Sequence, residues 1–142
     1  MVKTVRIACI ATTLLIAGCL NNAPPLATYN PKDIDKIEVY ESFGDTDILI
    51  SSIQSNEEIT KALGLINEYN INCCGYALGG SNAILPYWLV LKKDEAFVSG
   101  RSFGNGGYAG YDGTDRYRGR GLSKKEAKAL ERALSIKTSE PL

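Results

Sequence analysis

From residue 36 onward the chain alternates between apolar and polar positions. Ile37, Val39 and Glu41 fall on one side of an extended backbone and Glu38, Tyr40 and Ser42 on the other, the two-residue period of a half-buried strand. Phe43-Gly44-Asp45-Thr46 carries turn chemistry, and residues 47–53 return as a second strand, so the pair is predicted to form an antiparallel hairpin. The period then changes. Ser55-Asn56-Glu57-Glu58 has the form of a capping box, in which the serine hydroxyl accepts from the backbone N–H three residues on and the glutamate reaches back. Ile59, Ala62, Leu63, Ile66 and Tyr69 follow at helical spacing, predicting one apolar face and a helix that ends near Asn70. Gly64, inside that helix, costs about 1 kcal/mol relative to alanine.

Residues 71–86 read as a long loop, punctuated by Gly75, Gly79 and Gly80 and ended by Pro86. The continuous apolar run 87–91 predicts a central strand covered on both faces. Lys92-Lys93-Asp94-Glu95 is a polar turn, and 96–99 returns as the hairpin partner, with an extension towards Phe103. Residues 100–121 break the pattern: eight glycines are interleaved with aromatic and arginine side chains, and only 117–120 reads as a strand. Ser123-Lys124-Lys125-Glu126 is a second capping box, and Ala127, Leu130 and Leu134 form the stripe of a closing helix that ends near Ser135. The expected order is ββαββα, an α+β domain over 34–136 with a small antiparallel sheet, two helices packed on one face and a tail at 137–142.

The start of the chain follows different rules. Lys3 and Arg6 give a positive beginning, residues 7–16 are an apolar run too short to span a bilayer, and the small residues Ala17 and Gly18 follow. This is the build of an export signal. The next residue is Cys19, and Ile16-Ala17-Gly18-Cys19 resembles the lipobox of bacterial lipoproteins. The resemblance covers residues 1–19 alone. It implies cleavage after residue 18 and acylation of the Cys19 thiol with palmitate-type chains. The expected location is then a lipid-anchored, extracytoplasmic one, with the bilayer itself as a partner. Two or three acyl chains hold durably where one holds marginally, since each buried CH₂ contributes about 0.8 kcal/mol. Leu20 departs from the aspartate that such lipoproteins carry for inner-membrane retention, which implies the outer membrane in a Gram-negative cell. Residues 20–33 hold three prolines and no helical or strand period, so 19–33 is predicted to be a lipidated cysteine and tether with a reach of roughly 40 Å.

Charge adds a polarity that the whole-chain balance of 16 basic and 16 acidic residues hides. Residues 19–100 carry a net charge of −6 and residues 101–137 a net charge of +5. Two readings follow: solvated faces that attract one another within the fold, or a basic patch that meets anionic headgroups, cell-wall polymer or an acidic partner. There is no histidine, which excludes Ser-His and Cys-His nucleophile pairs and removes the commonest zinc ligand. No cofactor and no metal site are expected. Asp112-Gly113-Thr114-Asp115 offers oxygen ligands in a tight turn, without the spacing of an EF-hand.

Cys9 leaves with the signal, so Cys73 and Cys74 are the thiols that remain beside Cys19. Adjacent Cα atoms lie about 3.8 Å apart, below the usual disulfide span, so a vicinal Cys73–Cys74 bond is strained and closes almost no loop. Free thiols, a vicinal ring and pairing with another chain all stay open. In the 100–121 segment, Arg101, Tyr108, Tyr111, Tyr117 and Arg118 are candidates for partner binding, because arginine and tyrosine are enriched at interface hot spots. Export argues against nucleic acid as the partner. The expected function is a non-enzymatic envelope binding or assembly module that contacts a protein or cell-wall polymer through this segment. The alternatives are an inhibitor of a secreted hydrolase and a histidine-independent envelope enzyme that uses carboxylates, with no catalytic residue assigned: of Glu57, Glu58 and Glu68, the first two are explained by the favourable field at a helix amino end.

Overall fold

The computed structural model of the chain describes residues 25–72, 75–76, 85–111 and 117–137. In chain order these form strand β1 (Lys36–Phe43), strand β2 (Thr46–Ile53), helix α1 (Asn56–Ile71), the two-residue strand β3 (Gly75–Tyr76), strands β4 (Tyr87–Lys93), β5 (Ala96–Gly104), β6 (Gly107–Tyr111) and β7 (Tyr117–Gly121), and helix α2 (Lys124–Ala133). In space the strands run β2-β1-β4-β5-β6-β7-β3, each antiparallel to its neighbours. The class is the predicted α+β. The sheet is wider than predicted, because the 100–121 segment supplies the end of β5 and all of β6 and β7.

The hydrophobic period explains the helix-bearing face of the sheet. Ile37 and Val39 of β1, Leu89 and Leu91 of β4, Phe103 of β5 and Tyr108 of β6 share that face through the strand register. Against them pack Ile59, Ala62, Leu63, Ile66 and Tyr69 of α1, and Leu130, Ala133 and Leu134 from the end of the chain. Full burial of each large apolar side chain contributes about 1.5–3 kcal/mol. Helix α2 opens with a complete capping box: Glu126 N–H donates to Ser123 Oγ at 3.2 Å, and Ser123 N–H donates to Glu126 Oε2 at 2.8 Å. At α1 the Glu58 N–H likewise donates to Ser55 Oγ, but the Glu58 carboxylate accepts from the Ser55 hydroxyl instead of the backbone.

Order begins before the predicted Ile34. Leu26 is 1% exposed and belongs to the core, and its N–H donates to Asn70 O at 3.0 Å. Tyr29 exchanges two hydrogen bonds with the Asn67 side chain, and residues 31–33 form a 3₁₀ turn capped by Asn30. The stretch 26–33, read as tether, is therefore laid along α1. It shows no strand or helix period because its backbone is satisfied by the asparagines of α1 instead of by a ladder.

Two hairpin loops consist of two residues with left-handed backbone: Asp94-Glu95 between β4 and β5, and Asn105-Gly106 between β5 and β6. The latter pair is the residue combination that such tight hairpins favour. Among the described residues, no helix is long and apolar enough to cross a membrane.

Candidate functional site

The structure gathers Arg101, Asn70 and Tyr108 into a polar knot beneath the helices. Asn70, on the last turn of α1, is fully buried. Its Oδ1 accepts from Arg101 Nε at 3.1 Å and from the Tyr108 hydroxyl at 2.7 Å, and its Nδ2 donates to Ala27 O at 2.8 Å. Arg101 Nη1 donates to Ser99 Oγ at 2.8 Å and to Gly100 O at 2.7 Å. Its guanidinium carbon lies 5.8 Å from the Tyr29 ring centre. Burial pushes the Tyr108 phenol well above the ordinary tyrosine range. The knot joins sheet, helix and N-terminal segment, and in a dry interior such a network rigidifies one arrangement.

Sterics complete it. Gly110 of β6 pairs with Arg118 of β7, and a Cβ placed on Gly110 would stand 2.6 Å from Arg101 Cδ. The arginine stem thus occupies the volume that a side chain on β6 would need. Arg120, two residues beyond Arg118, places its guanidinium 5.3 Å from the Tyr69 ring centre and bonds Glu126 Oε1 at 2.8 Å.

These placements correct the predicted binding set. Arg101, Tyr108 and Arg118 are 2%, 0% and 3% exposed, so their side chains are core material and present nothing to a partner. Tyr111, at the end of β6, is exposed. The Tyr117 side chain, Cys19, Cys73, Cys74 and the Asp112–Asp115 turn lie outside the described residues. Glu57, Glu58 and Glu68 are exposed on α1, with Glu58 engaged at the helix cap. Among the described residues, no group of three or more metal-ligating side chains comes together.

On the sheet face away from the helices, Glu38 accepts from Lys92 Nζ at 2.7 Å and from the Tyr40 hydroxyl at 2.7 Å. The Lys92 hydrogen bond is the main reason its carboxyl is held below the usual range, and the Tyr40 hydroxyl adds to it. A general acid needs the opposite shift, so this group is suited to holding strands together. An open cleft of about 530 Å³ lies where the 3₁₀ turn meets the start of α1, lined by Asn30, Lys32, Asp35, Asn56, Thr60 and Lys93. It contains none of the candidate binding or catalytic residues named from the sequence.

Two exposed surfaces lie apart from the predicted binding set, the first passed over in the sequence and the second seen there only as the basic charge of residues 101–137. The first is β2, which pairs with β1 on one side and, among the described residues, ends the sheet on the other. Ile48 and Leu49 on this strand are 49% and 50% exposed, and Phe43 on the neighbouring strand is 59% exposed. The strand contains no lysine or proline, and its edge-blunting features are the charge of Asp47 and a bulge at Ile50. The second is the outer side of α2, which is cationic. The sequence matches no family model, and no curated protein or solved structure matches it.

Proposed function

We propose that this chain is an envelope lipoprotein, acylated at Cys19 and held on the extracytoplasmic side of a membrane. In a Gram-negative cell that membrane is the outer one. The folded part acts as a non-enzymatic binding or assembly module. Its partner docks by adding an extended segment to the free edge of β2, not through the arginines and Tyr108 of the 100–121 segment.

The observation that carries this reading is the edge itself. Its outward backbone N–H and C=O groups follow from its place at the end of the sheet, and Ile48 and Leu49 offer apolar contacts to either side of an added strand. Strand addition draws affinity from main-chain hydrogen bonds and specificity from such alternating side chains. A second reading, inhibition of a secreted hydrolase, has Tyr111 in its favour, exposed where β6 ends.

Photo-crosslinking in the producing cell separates the two. A crosslinking residue at Leu49 is expected to capture a discrete envelope protein, and Ile48→Lys is expected to abolish the capture. Capture from Tyr111 but not from Leu49 would favour the inhibitor. Capture from neither site would remove the edge-docking reading.

A further inference from the structure

Helix α2 turns a cationic side to solvent. Its exposed residues are Lys124, Lys125, Lys128 and Arg132, while Leu130 and Ala133 are buried. Its two acids are half-buried flanking groups, and Glu126 is held by the Ser123 cap and Arg120. The adjacent helix α1 shows the opposite sign, exposing Glu57, Glu58 and Glu68 against Lys61. Part of the charge polarity of the sequence is thus a polarity between two neighbouring helices, with the cationic one available to an anionic partner.

The chain's own connection says which partner lies within reach. Leu26 and the start of α2 meet on the same turn of α1: Leu26 N–H donates to Asn70 O, and the neighbouring Tyr69 hydroxyl donates to Glu126 O at 3.1 Å. Between Cys19 and Leu26 there are seven residue steps, which span at most about 25 Å even when fully extended. A domain of this size has a radius of gyration of about 13 Å, so it is wider than its connection is long. An anchor at Cys19 therefore keeps the helix layer near the lipid.

We infer that α2 docks on an anionic lipid surface, with Lys124, Lys125, Lys128 and Arg132 among the headgroups. This rests on the acylation of Cys19 proposed above. Each cation near such a surface favours docking by about fivefold, and the acidic outer side of α1 tilts the domain towards α2. The attraction falls off within about 10 Å at 0.1 M salt, so docking is expected to weaken as salt is raised. Docked in this way, the helix-free face of the sheet points away from the membrane.

The test uses the full protein, its acylation verified by intact mass, in vesicles of phosphatidylcholine alone or mixed with phosphatidylglycerol. A fluorescent amino acid is placed at Ile71, on the last turn of α1, or at Asp45, in the distant β1–β2 turn, and is read against headgroup-quencher lipids. The Ile71 reporter is expected to be quenched several-fold more than the Asp45 reporter on anionic vesicles. High salt, or Lys124→Gln, Lys125→Gln, Lys128→Gln and Arg132→Gln together, should reduce it to the level on neutral vesicles. Glutamine keeps helix propensity close to that of lysine, so the variant folds. Equal quenching at both positions, or quenching indifferent to lipid charge, in an acylated chain would overturn the inference. If the mass shows no acyl chain, the anchor fails by itself. The same protein then supports the cationic face by sedimenting with anionic but not neutral vesicles, and overturns it by sedimenting with neither.

Discussion

The stem of Arg101 fills the space in which a side chain at Gly110 would stand: a Cβ there would meet Arg101 Cδ at 2.6 Å. The two positions therefore specify each other across β5 and β6. Gly110→Ala is expected to lower stability by about 1–3 kcal/mol, the usual cost of overpacking a core. Gly64→Ala is the internal control. Gly64 is exposed in mid-helix with nothing within 4 Å of a Cβ, so alanine there should raise stability by about 0.5–1 kcal/mol. Urea unfolding of both variants checks the pair, and equal signs would contradict the packing described.

The N-terminal segment belongs to the fold. Leu26→Ala should cost about 2–4 kcal/mol in urea unfolding, as for other buried leucines. A neutral result would return residues 26–33 to a solvated tether. Asn70→Ala removes an acceptor shared by Arg101 and Tyr108 and a donor to Ala27 O. A loss of about 3 kcal/mol is expected, because buried partners are left unsatisfied.

Stability should weaken on the acid side. Glu38, held low chiefly by Lys92, and Glu126, held low chiefly by the Ser123 backbone N–H, both bind protons less readily folded than unfolded. Their contribution is present above the unfolded glutamate value of about 4.3 and is lost as pH falls through the depressed folded values. Lys92→Met should lower the melting temperature at neutral pH. The gap to the parent should close as the pH is taken below about 4. A gap that stays constant with pH would show that Lys92 acts through packing alone.

The caps make a smaller prediction. Ser123→Ala removes the hydroxyl that accepts from Glu126 N–H and should cost about 1 kcal/mol, read as a loss of helix signal and of melting temperature. Restoration by Ser123→Asp, also a strong capping residue, would place the effect at the cap and not in side-chain packing.

How far the fold could be read from the sequence depended on what fills the core. Where Ile37, Val39, Leu89 and Leu91 face the helices, the apolar period is visible, and β1, β2, α1, β4 and α2 follow from it. From residue 100 to the end of β7 the helix-side positions are Arg101, Phe103, Tyr108, Gly110, Arg118 and Arg120, so the apolar period that marks the start of β5 fades, only 117–120 still reads as a strand, and β6 is missed. The usable signal was size: Arg101-Ser102-Phe103-Gly104 and Arg118-Gly119-Arg120-Gly121 alternate large and small with a period of two. Charge hid it, because an arginine is read as exposed until its hydrogen-bond partners are known. The candidate site was less legible for the same reason. Arg101, Tyr108 and Arg118 have the composition of an interface and the position of a core, whereas Ile48 and Leu49 read as ordinary strand residues until β2 is placed at the edge.

The anchor at Cys19 sets the location, the reach and the orientation proposed for the folded part, so it is the point to measure first. Intact-mass analysis of the protein purified from its producing membranes should return a chain that begins at Cys19 and carries the added mass of a diacylglyceryl group. A chain that retains Met1 and carries no fatty acid would contradict the account.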